Sequence, residues 1–149
     1  MAQAYQESTL DQNRRSRVGA IGVMQLMPAT AAGSPISVQE IHKIENNIHA
    51  GVKYLRHIVD RYFDDEEIDE LNRTLFAFAS YNGGSTRIAR LRRKAADEGL
   101  DPNRWFKNVD LVVAREVGRE PVQYVSNVYK YYIAYKLITE RQQARASND

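Results

Sequence analysis

Apolar positions recur along this chain at intervals of three and four, and no stretch alternates apolar and polar residues for long enough to predict a strand. The expected class is all-α. Residues 1–9 suit a helix that carries Glu7 near its end, and residues 11–22, polar and glycine-bearing, read as a loop before a short helix at 23–27. Pro28 marks a turn or a new helix start. Ser37 and Glu40 have capping-box spacing, and Ile41, Ile44, Ile48, Val52, Leu55, Val59 and Tyr62 then draw one stripe along the clearest helix in the chain. An acidic linker from Asp64 to Glu67 precedes a helix bearing Leu71, Leu75, Phe76 and Ala79, which Gly83 and Gly84 stop. Further helices are expected at 85–98, closed by Gly99, from Asp101-Pro102 as a short turn of helix, and at 108–117 before Gly118. Pro121 opens the last one, with Val122, Val125, Val128, Tyr129, Tyr132, Ile133 and Leu137 as its stripe. Periodicity is lost from Glu140 to Asp149, so residues 1–139 read as the domain and 140–149 as a frayed tail.

The length of 149 residues fits one core, and an apolar share of 43% with 27% charged residues is ordinary for a globular domain. Neither a repeat nor a low-complexity linker suggests a second domain. The balance of 21 basic against 19 acidic residues, a formal charge of +2, supplies no global field for nucleic acid or an anionic membrane. Cysteine is absent, which excludes disulfides, thiolate metal sites and a cysteine nucleophile. His42, His49 and His57 are separated by gaps that miss the i, i+4 pairing of a helical zinc site, so no metal and no cofactor is expected. No run reaches the ~18 to 20 apolar residues needed for a membrane span, and the first residues lack the regions of a signal peptide. Because the chain opens inside a helix one turn before Glu7, the expectation is a piece of a longer protein with any targeting segment outside it.

Six groups of residues occur in a telling order. Glu7-Ser8 stands at a helix end, followed by the loop Ser16-Arg17-Val18-Gly19-Ala20-Ile21-Gly22 and the segment Val23-Met24-Gln25-Leu26-Met27-Pro28-Ala29-Thr30-Ala31. Tyr81-Asn82-Gly83-Gly84 comes later, with Asn46-Asn47-Ile48-His49-Ala50-Gly51-Val52-Lys53-Tyr54-Leu55 between them and Glu120-Pro121-Val122-Gln123-Tyr124-Val125 after. Over residues 2 to about 135 this order resembles the catalytic domain of lytic transglycosylases. The resemblance implies a lysozyme-like helical fold acting on peptidoglycan glycan strands in the bacterial cell envelope. It further implies cleavage of the β-1,4 bond from N-acetylmuramic acid to N-acetylglucosamine with a 1,6-anhydromuramic end. Glu7 would be the single acid and base; Ser16, Met24, Gln25, Tyr81, Asn82 and Glu120 would bind or orient the sugars, with Tyr124 near the groove. That family usually carries another helix before the glutamate-bearing one, so part of the core is expected to be uncovered, or covered by a second copy in a dimer or swap. Val23 replaces the commoner leucine, a change that should matter little.

The residues support that chemistry on their own terms. An acid that protonates a leaving oxygen near neutral pH needs an apolar surround to raise its pKa, and Met24, Met27 and Tyr81 are the candidate walls. Glycines at 19 and 22 allow backbone to approach a sugar, and Gln25 offers the donor and acceptor that an N-acetyl group asks for. Met24 and Met27 fit a core as well as a groove. The usual glycosidase uses two carboxylates; Asp11 reads as a solvated loop residue, and Glu120 as a residue around the site. The basic run Arg87, Arg90, Arg92, Arg93 and Lys94 reads as a solvated helix face, and Tyr129, Tyr131, Tyr132 and Tyr135 mainly as packing. Three alternatives stay open: a goose-type lysozyme that delivers water, a non-catalytic wall-binding module, and a helical nucleic-acid binder.

Overall fold

In the computed structural model, which describes residues 1–146, the chain forms seven helices and no strand among the described residues. They are α1 (Ala2–Ser8), α2 (Pro28–Ala32), α3 (Ile44–Tyr62), α4 (Glu70–Gly83), α5 (Ser85–Asp97), α6 (Asp110–Glu116) and α7 (Arg119–Ala146). The all-α, lysozyme-like expectation holds. Helix α4 is the central element, packed against α3, α5 and α7. Asp69 caps its start by accepting the Asn72 N–H at 2.8 Å, and Gly84, at φ 91°, ends it. Its buried Leu75, Phe76, Ala77 and Ala79 meet Ile58, Phe63, Trp105, Val112, Val113, Val125 and Val128 in the main core. Phe63 stacks on Phe76 with centroids 5.2 Å apart, and Trp105 meets Phe76 edge-on at 5.9 Å. Burying each such ring contributes about 1.5 to 3 kcal/mol, which is why this end of the molecule anchors the rest.

Four expected elements differ from the observed ones. Residues 37–43 are not helical: Ser37 and Glu40 take left-handed φ of 52° and 50°, and α3 starts at Ile44. The reason is competition for backbone acceptors. Asn46 Nδ2 donates to the Gln39 carbonyl, Asn47 Nδ2 to that of Ile41, and Gln12 Nε2 to those of Ile41 and His42. Ile36, Val38 and Ile41 meanwhile bury their side chains with Leu26, Ala31 and Ala50 in a second cluster, which an extended-and-turn path allows. Residues 23–27 are likewise a turn, flanked by isolated bridges between Arg15 and Ile21 and between Ile21 and Leu26. After Asp101-Pro102 the chain makes turns, and Trp105–Val109 is irregular, with Phe106 (φ −67°, ψ 133°) and Lys107 (φ 61°, ψ 15°) outside helical values. Trp105 enters the core there, with its backbone N–H donating to Asn72 Oδ1 at 2.8 Å. Helix α7 opens at Arg119 and continues beyond Glu140 to Ala146, with residues 140–145 exposed; residues 147–149 of the expected tail lie outside the described residues.

Candidate active site

The site begins with the loop after α1. Gly19 and Gly22 sit at φ 93° and 80°, and Gln25 at 46°, so the backbone doubles back on itself twice between Arg14 and Leu26. Ser16 ties the first turn: its hydroxyl accepts the Ala20 N–H and its own N–H donates to the Ala20 carbonyl, both at 2.9 Å. Asn47, buried on α3, ties the second. Its Oδ1 accepts the Met24 N–H at 2.8 Å, while Nδ2 donates to the carbonyls of Ile21 and Ile41 at 2.9 and 3.0 Å. Gly22 has to be a glycine here, because a Cβ would lie 2.3 Å from Asn47 Nδ2. Gly51, one turn along α3, leaves room for Met24, whose Cε would stand 2.7 Å from a Cβ at that position.

Helix α1 delivers Glu7 to this loop. The buried Ser8 hydroxyl donates toward the carbonyls of Ala4 and Val23 at 3.1 and 3.0 Å and accepts the Asp11 N–H at 3.1 Å, pinning the helix end against the turn. Glu7 is half-buried, and the Tyr124 hydroxyl of α7 donates to its Oε1 at 2.5 Å. The Tyr81 hydroxyl, from the end of α4, donates to the Met24 carbonyl at 2.8 Å, and the Tyr54 ring of α3 lies 5.3 Å from that of Tyr81. Burial raises the Glu7 carboxyl above its usual 4.5, against the opposing pulls of the Tyr124 hydrogen bond and the Arg14 charge. Both phenols are pushed far up, by burial first and then by the Glu7 charge, so they stay protonated as donors. The arrangement is a carboxyl whose pKa burial raises, hydrogen-bonded at one oxygen by Tyr124. Such a group can deliver a proton and take one back.

The expected site residues divide into three groups. Glu7, Tyr81 and Tyr124 are drawn together from helices far apart in the chain, with Met24 and Gln25 on the adjoining turn. The Met24 side chain, 5% exposed, packs on Gly51 and lines the edge of an apolar groove, while its carbonyl accepts from Tyr81; Met27 is 39% exposed. The Gln25 amide donates to the carbonyls of Gly22 and Arg14 at 2.9 and 3.3 Å, leaving Oε1 as an acceptor. Ser16 serves its own turn, and Asn82 is exposed at the end of α4. Glu120 is exposed in the first turn of α7, where Pro121 lies 3.5 Å from a Cβ built at Gly83, so it borders the Tyr81 end of the site. Asp11 is turned away, its Oδ1 accepting the Asn13 N–H at 2.8 Å. Ser8, Arg14, Asn47, Gly51 and Tyr54 were not among the expected site residues. Ser8, Asn47, Gly51 and Tyr54 do stand in two of the segments that carry the family resemblance, Glu7-Ser8 and Asn46 to Leu55, and that was the readable signal; Arg14 had none. The apolar groove of about 830 Å³, lined by Met1, Met24, Ile44, Ile48, Val52 and Leu71 among others, does not include Glu7; Glu70 is the carboxylate on its wall.

Comparison with known proteins identifies the family. The transglycosylase SLT domain family matches residues 1–102. Relatives include a protein called membrane-bound lytic murein transglycosylase F from Pseudomonas fluorescens (strain Pf0-1), 34% identical over 93% of this chain and 30% of its own length. Proteins of the same name are 38% identical in Desulfosudis oleivorans, over 86% of this chain and 30% of that protein, and 35% identical in Shewanella woodyi, over 88% and 29%. The chain thus spans about 30% of the length of these relatives. With two thirds of its residues under the family model, the chain belongs to the transglycosylase SLT domain family.

Proposed function

We propose that this chain is a peptidoglycan lytic transglycosylase domain that cleaves the β-1,4 bond between N-acetylmuramic acid and N-acetylglucosamine. The observation that carries the reading is the Glu7 environment: a half-buried carboxyl with raised pKa, gripped at Oε1 by Tyr124, with no second carboxylate acting on it. Because Oε1 is engaged, Oε2 is the atom that gives its proton to the glycosidic oxygen as the C1–O bond breaks. The N-acetyl oxygen of the muramic residue stabilises C1 in place of a protein nucleophile. Glu7, now a carboxylate, removes the proton of the C6 hydroxyl, whose oxygen closes on C1. The proton count balances and no water is consumed. The intramolecular hydroxyl competes with an effective molarity of ~10⁵ M or more, so modest ordering of the sugar ring decides the outcome. Gln25 Oε1, Asn82 and Glu120 are the groups left to read the sugars, and the relatives' names support peptidoglycan as the polymer.

Products should end in 1,6-anhydromuramic acid, two hydrogens and one oxygen lighter than hydrolysis would give. Mass spectrometry of digests of purified peptidoglycan in ¹⁸O-labelled water checks this. Free reducing ends carrying the label would place the chain with the water-delivering goose-type lysozymes. Function in the cell envelope goes with the same reading, supported by relatives named membrane-bound; no helix among the described residues is long and apolar enough to cross a membrane. Self-association through the apolar groove is a further part of the proposal, supported by Ile44, Ile48 and Val52 standing 43, 43 and 56% exposed along one face of α3.

A further inference from the structure

The loop that frames Glu7 carries three arginines, Arg14, Arg15 and Arg17, all exposed. None makes an ion pair among the described residues, although basic residues elsewhere do: Arg92 with Asp65, Lys94 with Glu116, Arg115 with Glu98. The acidic residue nearest in sequence, Asp11, is committed to the Asn13 N–H. Arg15 is spent on its own loop, donating to the carbonyls of Gln12 and Arg14 at 3.1 and 3.0 Å. Arg14 is different. Its carbonyl accepts the Gly22 N–H at 3.1 Å and Gln25 Nε2 at 3.3 Å, which fixes its backbone to the turn that carries Met24 and Gln25. Its guanidinium is exposed and in no ion pair among the described residues, and its charge acts on Glu7.

That placement works against the acid. A free cation favours the ionised carboxyl, whereas proton donation needs the neutral one that burial favours. The conflict disappears if an anion on the substrate meets the guanidinium when the glycan binds. We propose that Arg14 is a specificity-determining residue that pairs with a carboxylate borne by the glycan strand beside the cleaved bond, with Arg17 adding attraction from further out. An arginine suits this because its planar fork can take both carboxylate oxygens at once. The inference rests on the proposed peptidoglycan function, since that polymer offers a carboxylate from either of two sources: the lactyl group of a muramic residue stripped of peptide, or the stem peptide itself. A neutral N-acetylglucosamine polymer offers none.

The test uses the Glu7→Gln protein, so that ligands are not consumed, with and without Arg14→Gln. Calorimetry measures Kd for three oligosaccharides of equal length: peptide-free muramic acid-containing, peptide-bearing, and neutral β-1,4 N-acetylglucosamine. Removing the guanidinium should weaken one or both carboxylate-bearing ligands roughly 10-fold and leave the neutral one within about twofold. Loss confined to the peptide-free ligand identifies the lactyl carboxylate, and loss confined to the peptide-bearing one identifies the stem peptide. Equal loss on all three, which a merely structural role would produce, or loss on none overturns the assignment. A parent protein that releases no product from peptidoglycan overturns the functional reading and this assignment together, and that result is visible without any Arg14 variant.

Discussion

Glu7 feels two opposed influences, burial that disfavours its charge and the Tyr124 and Arg14 contacts that favour it, and burial is the larger. Glu7→Gln keeps the shape and loses the proton, so turnover of peptidoglycan should fall at least ~100-fold with the fold intact. Near-parental turnover would remove Glu7 from the acid role. The same variant has a pH signature. With its pKa raised on folding, Glu7 in the folded chain holds a proton that the unfolded chain releases from about 4.5 upward. Stability therefore falls as pH climbs from there through the raised value, and the deficit persists above it. Glu7→Gln should melt like the parent near pH 3 and above it near pH 8; a difference that ran the other way would contradict a raised pKa. Tyr124→Phe removes a donor to the carboxylate, so Glu7 rises further. The alkaline limb of the kcat/KM profile should move to higher pH while the maximum drops roughly 10- to 100-fold from lost positioning. An unmoved limb would mean that the hydrogen bond at Oε1 does not govern the titration.

Among the elements, the loop between α1 and α2 has little regular structure of its own and depends on α3 for its shape. Asn47 satisfies one N–H and two carbonyls of that loop and its approach, all in a buried place. Asn47→Ala would leave these groups unpaired at about 1 to 3 kcal/mol each before relaxation, so a net loss of about 3 kcal/mol is expected in urea denaturation. Activity should fall together with it, because the turn that presents Gln25 and the Met24 carbonyl loosens. A loss below about 1 kcal/mol would show that water replaces the amide. Helix α4 has the opposite character. Its cap at Asp69, its stop at Gly84 and its buried face are all local, and it reaches the site only through Tyr81 and Asn82 at its end.

Across the whole molecule, burial is uneven. The end built on Phe63, Phe76 and Trp105 is closed on all sides, while the α3 face bearing Ile44, Ile48 and Val52 and its neighbour Leu71 on α4 stay open to solvent around the apolar groove. The proposed self-association predicts that sedimentation velocity at about 100 µM shows dimers, and that Ile48→Glu returns the protein to monomers without lowering its melting temperature. A monomer at that concentration would remove the second copy from the account. Glu7, Tyr81 and Tyr124 do not line this groove, although Met24 does, so peptidoglycan cleavage per chain should be similar in both states.

What the sequence determined by itself is whatever local spacing encodes. Apolar residues three and four apart must share a helix face, and glycine or proline must punctuate it, so the all-α class, most of α3, the stop of α4 at Gly83 and Gly84, and α5 were legible. Glu7 stood out as a candidate because its neighbours form a recognisable motif. The tertiary structure alone decided the rest. Tyr124 meets a carboxylate 117 positions away, Met24 is covered because Gly51 of another helix gives it room, and residues 37–43 give up helix because asparagine and glutamine side chains take their carbonyls. Periodicity reports which residues share a face, and it carries no record of which face another element will supply; that choice is made by packing and by the need to satisfy every buried polar group.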